Sequence, residues 1–202
     1  MKAGIAYLAM TKTGSTAIED VLAPDCDIVM SGHPGLKHMR LRRFERFVRP
    51  LLGDARVETV SMIREPLDWL GSWFRYRQRP AIAGGAKSTS GITFEQFLRD
   101  WLCDDAPEHA RVGRPSDFLA APPNGPPIDH LFRYDEYDLF IAFLQRRFGR
   151  SINPARLNVS PSTPLDAPPD VLEEVRTRMQ ADYALYEGAR RRARDASIER
   201  LT

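Results

Sequence analysis

The sequence predicts an α/β fold in which a central, mostly parallel sheet is flanked by helices. Three observations predict it. Short apolar runs bounded by turn residues, at 3–9, 26–30, 56–63 and 128–134, read as buried strands. Each is followed by a segment with apolar residues at helical spacing. Strands alternating with helices pair in parallel and are covered on both faces. A length of 202 residues suits one domain with a substantial core, carrying loop insertions at 80–91 and 104–127.

The first run, Ala3-Gly4-Ile5-Ala6-Tyr7-Leu8-Ala9, passes through Met10-Thr11-Lys12-Thr13-Gly14-Ser15-Thr16 into a helix starting near Ser15. Ala17, Ile18, Val21 and Leu22 form its apolar stripe. Such a connection traps anions. Gly14 permits a tight turn, and the N–H groups of the first helical turn point outward with the positive end of the macrodipole behind them. Lys12 adds a point charge, and Ser15 and Thr16 add hydroxyl donors. Other strand–Gly–helix connections bind nothing. The loop also departs from the Gly-x4-Gly-Lys-Ser/Thr pattern of nucleotide hydrolases, because its lysine precedes its glycine by two. Lysine is scarce, with four against twenty-five arginines, so one inside the loop stands out.

In chain order, Cys26-Asp27-Ile28-Val29-Met30 is the second predicted strand, broken by Ser31-Gly32-His33-Pro34-Gly35. A helix from about Met39 puts Leu41, Phe44, Phe47, Val48, Leu51 and Leu52 on one face. Its arginines, Arg40, Arg42, Arg43, Arg46 and Arg49, mostly lie off that face, as a solvated surface or as a patch for an anionic acceptor. The third strand ends at Arg64-Glu65-Pro66, where proline stops the strand and opens a largely buried helix over 67–79. Residues 80–91 form a small-residue loop. Thr93 and Gln96 have capping-box spacing ahead of a helix bearing Phe94, Phe97, Leu98, Trp101 and Leu102. Residues 104–127 form a long polar, proline-rich loop. The fourth strand precedes a helix with Leu139, Phe140, Phe143, Leu144 and Phe148 inward and Gly149 as its stop. Residues 156–160 read as a short extended piece. A last helix opens at Asp166 and Pro168-Pro169, with Val171, Leu172, Val175, Met179, Tyr183 and Tyr186 as its buried stripe.

A formal net charge of +2 supplies no global field for nucleic acid or membrane, so attraction to an anionic partner must be local. Cys26 and Cys103 match no metal or redox spacing and read as buried or idle thiols in a reducing compartment. The fold starts almost at once, and no apolar stretch approaches eighteen residues. The expectation is a soluble, cytoplasmic protein.

In parallel sheets ligands bind at the carboxyl edge of the strands. Lys12 and Arg64 each follow a predicted strand, so both belong on that edge, and Ser72 falls within the first two turns of the helix after Arg64. Two adjacent anion sites suit a ligand with two separated phosphate-like groups. The structural alternatives are an ion pair of Arg64 with Glu65 or Asp68, and Ser72 as a small residue in a helix–sheet contact.

Lys12-Thr13-Gly14-Ser15-Thr16 after an N-terminal strand resembles the 5′-phosphosulfate loop of sulfotransferases that use 3′-phosphoadenosine 5′-phosphosulfate (PAPS). Ile63-Arg64-Glu65-Pro66, with Ser72 eight residues after the arginine, resembles their 3′-phosphate motif. The likeness continues in Phe132-Arg133-Tyr134-Asp135-Glu136-Tyr137, in Leu157-Asn158-Val159-Ser160 and in Asp182-Tyr183 with Tyr186. It covers most of the chain and is closest to carbohydrate and bacterial sulfotransferases. Trp69 departs from it, since the position five after the arginine is often basic in the carbohydrate enzymes. The acceptor-binding region is also shorter.

The resemblance implies a P-loop-like three-layer fold and sulfuryl transfer from PAPS to a hydroxyl acceptor, either a small molecule or a carbohydrate, with no metal. It implies that Lys12 stabilises the bridging and leaving oxygens, and that Thr13, Gly14, Ser15 and Thr16 hold the 5′-phosphate. Arg64 and Ser72 would hold the 3′-phosphate. The family uses His or Glu as base. His33 is the candidate, following the second predicted strand onto the same edge, or else a loop histidine that caps backbone. His38, Glu19 and Asp20 stand in reserve. Two rival readings are a P-loop-type kinase or nucleotide hydrolase, and a non-catalytic nucleotide-binding relative.

Overall fold

The computed structural model describes residues 3–155 and 164–198. The chain divides into two compact units, one made of Met1–Arg64, Pro115–Leu157 and Leu185–Thr202, the other of Glu65–Arg114 and Asn158–Ala184.

The first unit holds a three-stranded parallel sheet in the order β1 (Ile5–Tyr7), β2 (Glu58–Ile63), β3 (His130–Arg133). Ala6 pairs with Thr59, and Ser61 with Leu131. β2 is central and alternates across two cores, as a strand covered on both faces must. Val60 and Met62 pack with Ile18 and Leu22 of α1 (Ser15–Leu22) and with Phe140, Phe143 and Leu144 of α7 (Tyr137–Phe148). Ile63 belongs to the other face, with Leu41, Phe44, Val48, Phe118 and Tyr186. Ser61 Oγ donates to Leu8 O at 2.7 Å, tying β2 to the end of β1. Gly149 closes α7 in the left-handed region, at φ 66°, as its stop position requires.

Three sequence expectations fail in this unit. Residues 26–30 form no strand. The one-turn helix that follows, α2 (Pro34–Lys37), offers too little cover, and Ile28 and Val29 stay half exposed, so β1 is the sheet edge. A parallel strand needs both faces buried. The second failure lies in α3 (Leu41–Arg43), which runs on through a π-helical turn at Phe44–Val48 and a tight 3₁₀ turn at Arg49–Leu52. The extra residue of the π turn re-phases the stripe. Leu41, Phe44 and Val48 are buried, whereas Phe47 and Leu51 are 55% and 79% exposed. Leu139, expected inward, is likewise exposed on α7.

The second unit is helical, built from α4 (Pro66–Tyr76), α5 (Phe94–Leu102) and α8 (Pro169–Arg178). Trp69, Leu70, Phe74, Phe97, Leu98, Val171 and Val175 form its core. Thr89 anchors the 80–91 loop, its hydroxyl donating to Phe74 O at 2.7 Å from full burial. Thr93 caps α5 by accepting from Gln96 N at 3.1 Å, but only half of the predicted box forms, because Gln96 Nε2 turns to Asp100. Thr93→Ala is therefore expected to lower stability by about 1 kcal/mol and Gln96→Ala by only a few tenths, read as urea midpoints. A short helix, α6 (Pro115–Leu119), interrupts the predicted 104–127 loop and belongs to the first unit, burying Phe118 and Leu119. The predicted last helix is two, α8 and α9 (Gln180–Ile198), broken at Met179. The extended piece expected at 156–160 lies outside the described residues.

Candidate functional site

The loop after β1 is more constrained than its sequence suggests. Lys12 and Gly14 both take left-handed backbone, at φ 66° and 70°, on either side of Thr13. Only glycine adopts that region at no cost. A lysine there stores about 1 kcal/mol, and such strain collects at ligand clamps. Alternation of this kind turns successive N–H groups to one side and makes an anion concavity. α1 then begins at Gly14 with no side-chain cap and no acidic residue in its first turn. Thr13 is fully buried, and its hydroxyl donates to Met10 O at 2.8 Å, so it braces the loop from inside and offers a ligand only its N–H. Ser15 is buried at the first helical position. Thr16 Oγ1 accepts from Lys37 Nζ at 3.2 Å, which leaves its own proton to donate.

Arg64 follows β2 as Lys12 follows β1, and the parallel pairing brings them together. Arg64 Nη1 donates to Lys12 O at 3.3 Å, and the guanidinium lies over the Tyr134 ring at 4.8 Å. The same ring faces Gly14, where a Cβ would sit 3.6 Å from Tyr134 Cε2. Residues following all three strands thus meet at one edge. Glu65 accepts from Asp68 N at 2.6 Å and from the Tyr183 hydroxyl at 2.8 Å, and Asp68 reaches Arg75 at 3.5 Å, all within the second unit. Burial and the Glu65 carboxylate push the Tyr183 phenol up, so it stays the donor.

Tyr134 owes its position to a neighbouring cluster. Arg133 stacks on the Tyr186 ring at 3.9 Å and pairs with Asp135, while the Tyr186 hydroxyl donates to Asp135 Oδ1 at 3.0 Å. Burial pulls the Asp135 carboxyl up, but the bonds from Arg133 and Tyr186 outweigh it and hold the carboxyl below the usual range. Burial, then Asp135, raises the Tyr186 phenol to about 12. In the second unit, fully buried Asp182 pairs with Arg114 at 2.7 Å. Asp182, Tyr183 and Tyr186, singled out together in the sequence, are three anchors.

The two histidines of this stretch make opposite hydrogen bonds. His33 loses its predicted position, since no strand precedes it. It caps α2 instead, exposed, with Nδ1 accepting from Gly35 N at 3.1 Å. That bond consumes the lone pair of a neutral imidazole, leaving Nε2 as the protonated donor. His38 is the reverse case. Its Nδ1 lies 2.7 Å from the carbonyl of Ala9, at the start of the loop, so Nδ1 carries the proton and Nε2 the lone pair. Lys37, not singled out in the sequence as a site residue, also pairs with Glu19 at 2.9 Å. No local signal marked Lys37; it reaches Thr16 from twenty-one residues away. Ser72 lies in the second unit, 5% exposed on α4.

Cys26 and Cys103 are both exposed thiols, against the buried alternative. Among the described residues no cluster of three or more His, Cys, Asp or Glu is placed to hold a metal, and no helix is long and apolar enough to cross a membrane. Comparison of the chain with protein-family models, with curated proteins and with solved structures found no match.

Proposed function

We propose that this chain is a PAPS-dependent sulfotransferase with a P-loop-like site, moving a sulfuryl group to a hydroxyl acceptor. One observation carries the reading. Lys12 and Arg64, fifty-two residues apart, meet at the carboxyl edge of adjacent parallel strands beside an uncapped helix start. Two cations and a ring of N–H donors on one edge suit a ligand with two phosphate-like groups.

When bound, PAPS supplies an activated sulfuryl group on its 5′-phosphate. The N–H groups of residues 13–16 and the Thr16 hydroxyl hold the anionic oxygens. Lys12 neutralises charge that develops on the leaving oxygen, the term that dominates a loose in-line displacement. Arg64, held by Lys12 O and the Tyr134 ring, takes the second phosphate. The acceptor oxygen bonds to sulfur as the sulfur–oxygen bond to the 5′-phosphate breaks, and the acceptor proton passes to a base. His38 takes that role in place of His33, because its tautomer leaves Nε2 able to accept. The products are a sulfate ester and adenosine 3′,5′-bisphosphate.

Thermal shift separates this reading from an ATP-dependent one. Adenosine 3′,5′-bisphosphate without metal, at about a hundred times its Kd, should raise Tm by roughly 5–10 °C. Stabilisation by ATP with Mg²⁺ alone would refute the proposal in favour of a kinase or hydrolase.

A further inference from the structure

The helical stretch over residues 41–52 has two unlike sides. Leu41, Phe44 and Val48 point into the core of the first unit. The outer side carries Arg42, Arg43, Arg46, Phe47 and Leu51, all exposed, with exposed Arg40 just before it. Among the described residues, Leu51 and Phe47 are the two most exposed large apolar side chains, at 79% and 55%. They stand one turn apart, on the same side. A single exposed apolar residue is ordinary, but a pair among four exposed arginines on one short segment is not.

The charge there is concentrated and uncompensated. Residues 37–56 hold seven lysines and arginines against two acidic residues, whereas the whole chain has a formal charge of +2, so the remainder is net negative. Glu45 is engaged by Arg49, at 3.0 and 2.7 Å. Among the described residues Arg40, Arg42, Arg43 and Arg46 form no ion pair. Arg42 uses only Nε, on Ala121 O at 2.9 Å. The Arg46 guanidinium lies 5.1 Å over the Phe47 ring, so cation and ring are presented together. From Leu36 to Leu52 the chain holds no Ser, Thr, Asn, Gln or Asp. The outer side thus offers positive charge and apolar surface, without the neutral hydrogen-bonding side chains that fix the register of a polar partner. A soluble polyanion would use the arginines and leave Phe47 and Leu51 in water. An anionic lipid surface uses both, with head groups for the guanidiniums and an acyl boundary for the two apolar side chains.

We propose that this face docks the protein reversibly on an anionic bilayer surface. Phe47 and Leu51 enter the head-group boundary, and Arg40, Arg42, Arg43 and Arg46 lie against anionic lipids. Such docking needs no membrane-spanning helix. It involves none of the residues assigned to sulfuryl transfer, so the two readings fail independently.

The test is sedimentation of the full chain, without nucleotide, with vesicles of phosphatidylcholine alone or with about 30 mol% phosphatidylserine. The mixed vesicles should bind with an association constant on the order of 10⁴ M⁻¹, and phosphatidylcholine alone at least about tenfold more weakly. Arg43→Gln with Arg46→Gln should weaken mixed-vesicle binding at least about tenfold. The same loss of charge at Arg111 and Arg176, exposed arginines of the second unit, should change it less than about twofold. Phe47→Ser with Leu51→Ser should also weaken binding at least about tenfold, by removing the apolar contact. These side chains are exposed, and an unchanged circular dichroism spectrum in each variant separates lost docking from lost fold. The proposal falls if the mixed vesicles bind no better than phosphatidylcholine alone, or if the Arg111 and Arg176 variant loses as much as the Arg43 and Arg46 variant. It falls equally if the serine variant binds like the parent, the result expected of a face for a soluble polyanion.

Discussion

Lys12→Ala should lower sulfuryl transfer by at least about a hundredfold, the cost of removing one charge-stabilising donor from a preorganised site. The measurement uses labelled PAPS with an acceptor found by panel screening. Affinity for adenosine 3′,5′-bisphosphate should fall far less, because the ammonium is assigned to an oxygen whose charge grows during the reaction. Backbone strain complicates the reading, since alanine at φ 66° inherits the left-handed cost that lysine bears. Lys12→Gly removes that cost along with the ammonium. It should be more stable than Lys12→Ala by about 1 kcal/mol and equally poor in transfer. Recovery of turnover in the glycine variant would mean that loop geometry, not charge, is what Lys12 contributes. Unchanged turnover in both would end its assigned role.

The largest stability effect is expected at Asp182. Its carboxylate is fully buried in the second unit, and Oδ2 accepts from Arg114 Nε at 3.0 Å and Nη2 at 2.7 Å. Asp182→Ala strands a guanidinium that retains 29% of its side-chain exposure. Breaking a buried pair costs about 3–5 kcal/mol, and the partial exposure of Arg114 places this one near the lower end. The urea midpoint at constant m-value reads it. Asp182→Asn keeps an acceptor and should recover part of the loss. In the double variant with Arg114→Met, the total should be well below the sum of the singles, because no charge is then left behind. A loss under about 1 kcal/mol for Asp182→Ala would show that water reaches Arg114 and that the pair contributes little.

Local chemistry was legible from the chain alone. The strand–loop–helix around Gly14, the proline that turns β2 into α4, the Thr93 cap and the Gly149 stop each depend on neighbours a few residues away. Their side chains and backbone angles settle the outcome without help from the rest of the molecule. The parallel sheet followed from the alternation of strands and helices, and with it the expectation that Lys12 and Arg64 share an edge.

What only tertiary structure decided is of another kind. Residues 26–30 have a strand's composition but lack the cover a parallel strand needs, so β1 became an edge with a cavity beside it. The π turn at Phe44–Val48 moved Phe47 and Leu51 to the surface, against a stripe read at uniform period. The Tyr134 ring beneath Arg64 and the hydrogen bond of His38 to the Ala9 carbonyl join residues some tens of positions apart in sequence. The residue sequence by itself determines which groups are present and how each short segment turns. Strand order and packing determine which groups meet, because a hydrogen bond or a stacked ring is fixed by distance in space, to which distance along the chain is no guide.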